Sequence, residues 1–179
     1  WPGRPEGVAR TNLRQALAGV RNTIGDRDAL NPHLIVTDES VQINPDGEFW
    51  LDVQAFENHI QATLVHSHKR VEVCPVCAPH LEEAISLYRG DLLAELHLSG
   101  CQRFQEWVVF QREQYARHML MALANLSRYD EQRGYLDSAL KYARQLVNLA
   151  PLEEAAHRQV MQLLVQSGSR SAALEQYLT

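Results

Sequence analysis

No stretch of the 179-residue chain approaches the roughly 18 consecutive apolar residues that a membrane-crossing helix needs, so none is expected. No basic segment leading into an apolar one opens the sequence, so nothing marks it for secretion. Cysteine is sparse and odd in number, with three residues, which argues against a disulfide framework and for a reducing compartment. The cytoplasm is therefore the expected location. With 9 Gly and 7 Pro, collagen-like and low-complexity chains are excluded. Neither a glycine-rich phosphate loop nor a serine elbow occurs, so no enzyme activity is expected. The remainder is ordinary globular material, 45% hydrophobic and 22% charged, enough to build a core. A net charge of -5 argues against non-specific coating of nucleic acid.

Charge is unevenly spread. Residues 1–30 hold five Arg against three acids, whereas the rest holds 12 basic and 19 acidic residues. Val8 to Gly25 reads as a helix, with Leu13, Leu17, Val20 and Ile24 forming one apolar stripe and Gly25 as its stop. These four apolar residues are assigned to a core. Thr11, Arg14, Gln15, Ala18, Arg21 and Asn22 lie off the stripe, and their long donors suit a duplex groove. A solvated helix face is the plainer reading of the same charges.

After Gly25 the period changes. His33–Thr37 and Val41–Ile43 flank the turn Asp38-Glu39-Ser40, a β-hairpin pattern closed by Asn44-Pro45-Asp46-Gly47. Helix followed by hairpin is the order of the last helix and wing of a winged helix. From Asp52 onward the chain reads as helix: Val53–Leu64 with Asp52 as N-cap, about His80–Tyr88, Gln102–Tyr129, Tyr135–Leu149, Glu153–Val165 and Ser171–Leu178. Pro151 is placed at a helix N-terminus. Gly134 and Gly168 stand 34 residues apart, the tetratricopeptide period, and aligning them superposes Ala139 on Ala173. Small residues here suit antiparallel helices in close approach, and such hairpins stack because one alone cannot bury its apolar face. The expected fold is mainly α, built of tetratricopeptide-like helical hairpins, with a partial winged helix at the N-terminus.

His66-x-His68-x5-Cys74-x2-Cys77 gathers four nitrogen or sulfur donors within 12 residues, the donor set of tetrahedral zinc. His80 is a spare candidate. A structural zinc would pin the loop between two helices. The alternative is that Cys74 and Cys77 are small buried hydrophobes and the histidines solvated. A metal-dependent hydrolase would need an open coordination position, which four protein ligands do not leave. His97, His118 and His157 read as packed or solvated, and Tyr88, Trp107, Tyr115 and Tyr142 as core.

Ala9-Arg10-Thr11-Asn12-Leu13-Arg14-Gln15-Ala16-Leu17 resembles the recognition helix of the Streptomyces antibiotic regulatory protein family. Trp50–Glu57, Ala84–Leu93, Phe104–Trp107 and Glu154–Met161 resemble stretches of that family's bacterial transcriptional activator domain. The resemblance implies a winged helix over residues 1–50 and the activator domain over 51–179. It implies DNA-binding roles for Arg10, Thr11, Asn12, Arg14, Gln15 and Arg21, and no required cofactor. The implied partners are DNA, and RNA polymerase or a second copy of the chain through the repeats. Because the chain opens at Trp1-Pro2-Gly3, just before the helix, a fragment of a longer regulator is expected. The competing expectation is a peptide-binding or oligomerisation scaffold with no DNA binding of its own.

Overall fold

The computed structural model describes residues 3–37, 39–47 and 49–178. The chain divides into two compact units, Trp1–Trp50 and Leu51–Thr179. Among the described residues, no helix is long and apolar enough to cross a membrane.

The first unit holds helix α1 (Glu6–Thr23) and an antiparallel hairpin, β1 (Leu34–Val36) with β2 (Val41–Ile43), in the register Leu34 to Ile43 and Val36 to Val41. Asp38, in the expected turn, lies outside the described residues. Thr37 shapes what is described there: its hydroxyl accepts the Ser40 N–H at 3.0 Å, and its own N–H donates to the Ser40 carbonyl. The apolar stripe of α1 departs from its core assignment. Leu13 is 53% exposed, Val20 49% and Ile24 43%, Leu17 is half-buried, and no residue of α1 is buried. The physical reason is that one helix and two three-residue strands provide no second apolar layer to cover the stripe. Asp26 and Asn44 are instead the buried residues described in this unit. Asn44 donates to Asn31 Oδ1 and to the Pro32 carbonyl, and its Oδ1 accepts the Asp46 N–H. A polar network therefore holds the unit together.

The second unit is all-helical: α2 (Asp52–Val65), a 3-10 turn (Val71–Val73), α3 (Cys77–Leu87), α4 (Gln102–Gln132), α5 (Leu136–Leu149), α6 (Glu154–Gln166) and α7 (Arg170–Tyr177). Each helix packs on the next in chain order. The backbone order corrects three local expectations. Leu51, in extended conformation, is the N-cap of α2, and Asp52 is its first residue. Helix α3 starts at Cys77, so the preceding loop is shorter than the sequence suggests. Pro151 sits in the turn before α6, where its carbonyl meets His157 Nε2 at 2.9 Å, rather than inside the helix start.

Helix α4 is the spine. Its Tyr115, Ala122 and Leu126 join Phe56 and Ile60 of α2 and Ala78, Leu81 and Ala84 of α3. Its Met119 and Leu123 join Leu146 of α5 and Ala156 of α6. Ala139 and Ala143, Val160, Leu163 and Leu164, and Ala173 fill the space among α5, α6 and α7. Tyr115 packs edge-on against Phe56 and donates its hydroxyl to Glu57 Oε1 at 2.9 Å. Burial, with that carboxylate as acceptor, pushes its phenol up to about 12. Trp107, expected in the core, is instead 48% exposed near the start of α4, against Phe104.

The repeat is visible in how α4 and α6 end. Tyr135 N–H reaches the Asp130 carbonyl and Gly134 N–H the Glu131 carbonyl; Ser169 and Gly168 repeat this on Leu164 and Val165. Both are six-to-one helix stops with a left-handed glycine, φ +79 at Gly134 and +85 at Gly168. A Cβ at either glycine would meet nothing within 4 Å. Backbone conformation, not close helix approach, therefore requires glycine there, and the buried Ala139, Ala143 and Ala173 supply the closeness. Glu131 braces the two stacked hairpins by accepting from Gln159 and Gln166 of α6, each at 2.7 Å.

Leu126→Ala should lower unfolding free energy by about 2–5 kcal/mol through the cavity it leaves, read from the denaturant midpoint. Gly134→Ala and Gly168→Ala should each cost about 1–2 kcal/mol from the left-handed backbone alone, and a double variant should be close to additive.

Candidate functional site

Two groups of side chains stand apart from the packing. The first lies on α1. Arg10 and Arg14 are exposed, as are Thr11 and Gln15, whereas Asn12 and Arg21 are half-buried. Spacings of four and seven place Arg10, Arg14 and Arg21 on one side of the helix. Arg10 meets Glu6 at 2.7 Å with both side chains in solvent, a pair weak enough to exchange for another anion. The exposed Thr11 hydroxyl donates to the Gly7 carbonyl at 2.9 Å.

Arg21 has a structural commitment. Its Nε donates to Asp26 Oδ2 at 2.7 Å. The other oxygen of Asp26 accepts the backbone N–H groups of His33 and of Leu34, the latter at 3.1 Å. Burial works to raise the Asp26 carboxyl, but the hydrogen bond from Arg21 and those from Leu34 and His33 together hold it below the ordinary carboxylate value. Asp26 thereby ties the end of α1 to the start of β1. Sequence reasoning missed it, although an acid directly after the helix-stopping Gly25 was its signal.

The second group lies between α2 and α3. His66, His68, Cys74 and Cys77 come together with one donor atom each, all within 4.8 Å of one another. Cys74 Sγ stands 3.8 Å from His66 Nε2, and Cys77 Sγ 3.6 Å from His68 Nδ1. Burial works to raise the Cys74 thiol, but the backbone N–H groups of Cys77 and Val76 and the Cys77 thiol outweigh it and hold the group low. Burial pushes Cys77 up to about 11, and the Cys74 sulfur beside it adds to the rise. His80, the spare candidate, turns away: its Nδ1 lies 3.1 Å from Nδ1 of His59 on α2. Of the remaining histidines, His157 bridges Pro151 to Gln176 of α7, and burial pulls His118 down.

The family model of the bacterial transcriptional activator domain matches residues 51–179. The chain belongs to that family. No curated protein and no solved structure matches it. The matched residues of this bacterial transcriptional activator domain coincide with the second compact unit, so the His/Cys group lies inside the domain and α1 precedes it.

Because the folded carboxyl of Asp26 is depressed, the stability it adds is present above the unfolded value of about 3.9 and is lost as pH falls through the folded value. The protection of the His33 and Leu34 amides, read against the free-peptide exchange rate at the same pH, should therefore fall on acidification below about pH 4. In Asp26→Ala it should be low at neutral pH as well.

Proposed function

We propose that the chain is part of a DNA-binding transcriptional regulator. In this reading α1 and the β1–β2 hairpin are the last helix and wing of a winged helix, with the activator domain following. Arg10, Thr11, Asn12, Arg14, Gln15 and Arg21 are its DNA-facing residues. The observation that favours it is the exposed α1 face, with Arg10 and Arg14 in solvent beside an apolar stripe that no described residue buries. A complete winged helix covers such a stripe with its other helices and leaves the arginines to phosphate or guanine. Arg21, held by Asp26, positions the helix as well as reaching the duplex.

The helical repeats contact RNA polymerase or a second copy of the chain. Leu152 at 97% exposure, with Leu174, Tyr177 and Leu178 of the last hairpin also exposed, supports a surface that meets another protein. The same feature favours the second reading, an oligomerisation or peptide-binding scaffold without DNA contact. No catalytic step and no required cofactor enter either reading, and the cell compartment is the cytoplasm.

Fluorescence anisotropy with duplexes selected from a random pool, on the intact regulator, separates the two. Arg10→Ala and Arg14→Ala should weaken binding across sequences and lower the salt slope by about one each if they meet phosphate. A base-reading arginine should instead relax specificity at one position. Unchanged binding and slope in both variants would leave the scaffold.

A further inference from the structure

We propose that His66, His68, Cys74 and Cys77 form a closed structural zinc site that clips the connection between α2 and α3. The activator-domain assignment says nothing of a metal, and the proposal stands on the geometry of these four residues.

Zinc bonds of about 2.3 Å to sulfur and about 2.05 Å to nitrogen, at tetrahedral angles, set sulfur and nitrogen about 3.6 Å apart. The two sulfur–nitrogen pairs stand at 3.8 and 3.6 Å. No donor lies more than 4.8 Å from another, so small side-chain adjustments complete the tetrahedron. The backbone is shaped for the same end. His66 is extended, with φ −68 and ψ 126, and the rings of His66 and His68 stand 5.4 Å apart at 76°, one nitrogen of each turned to a cysteine. Cys74-Pro75-Val76-Cys77 turns directly into α3, with the Ala78 N–H on the Cys74 carbonyl at 3.2 Å, which brings the two sulfurs to the same side.

Cysteines buried only as small hydrophobes do not each collect an imidazole nitrogen. The chemistry also selects the metal. Two thiolates neutralise a divalent cation, and two imidazoles complete a borderline-soft set that suits zinc and is wrong for calcium or magnesium, which want oxygen. Four protein ligands leave no position for water or substrate, so the role is structural. The clip gathers residues from the end of α2 (His66) to the first residue of α3 (Cys77), and the 3-10 turn it encloses packs on α4. Zinc would thus fasten the first helical hairpin to the spine, and its binding energy would become folding energy of that hairpin.

Elemental analysis of the full chain, purified under reducing conditions without chelator, should give about one zinc per chain. Cobalt(II) replacing it should give the intense visible bands of a tetrahedral thiolate site. Cys77→Ser and His68→Ala should each lose the metal, whereas His80→Ala, whose ring faces His59, should keep it. Should the cysteine variant fail to fold, the unaltered protein still decides. A chelator should lower its melting temperature, and zinc should restore it. Metal content near zero with both thiols freely alkylated, a Cys74–Cys77 disulfide found in the protein, or melting indifferent to chelator would each overturn the proposal.

Discussion

Helix α4 serves two pairs of neighbours with one broad apolar face, and the arrangement of residues 51–179 follows from that demand. Tyr115, Ala122 and Leu126 look toward α2 and α3, while Met119 and Leu123 look toward α5 and α6. The two groups are adjoining edges of one stripe, wide enough to be shared. Neither neighbouring pair therefore has to complete a core alone, and each leans on the spine. The polar groups that α4 buries are also placed to join elements. Ser127 donates to the Ala139 carbonyl, and the phenol of Tyr115 reaches Glu57.

Much of this was readable from residues alone, and the places where it was not are informative. The 34-residue interval from Gly134 to Gly168 located the stacked hairpins because a left-handed helix stop admits little but glycine. The physical role of that glycine was less legible: spacing marks a small residue, and only the dihedral angle separates conformational need from close approach. The stripe Leu13, Leu17, Val20 and Ile24 gave the helix correctly and its burial wrongly, since periodicity reports a face and not whether anything covers it. Trp107 failed likewise, half-exposed near the start of α4. The four-donor pattern between α2 and α3 was legible because ligand spacing is a local property. That His80 would turn to His59, 21 residues away, was not, because it depends on how α2 meets α3. Asp26 went unread for a similar reason: its partners lie on a helix behind it and a strand ahead.

Membership of the bacterial transcriptional activator domain family gives the helical unit its broad role. The two units meet different physical demands. The repeats present buried alanines and leucines and a surface rich in exposed leucine and tyrosine. The N-terminal unit presents arginine and glutamine on a helix whose end is fixed by one carboxylate. Arg21 holds the end of that helix through its hydrogen bond to Asp26.

The inward polar groups of the N-terminal unit have a thermal consequence. Heat capacity rises on unfolding mainly because apolar surface becomes wet. With Asp26 and Asn44 as its buried residues, the described part of that unit has little such surface to reveal. A calorimeter would therefore register chiefly the helical repeats, while the helix and hairpin loosen over a broad range beneath that peak.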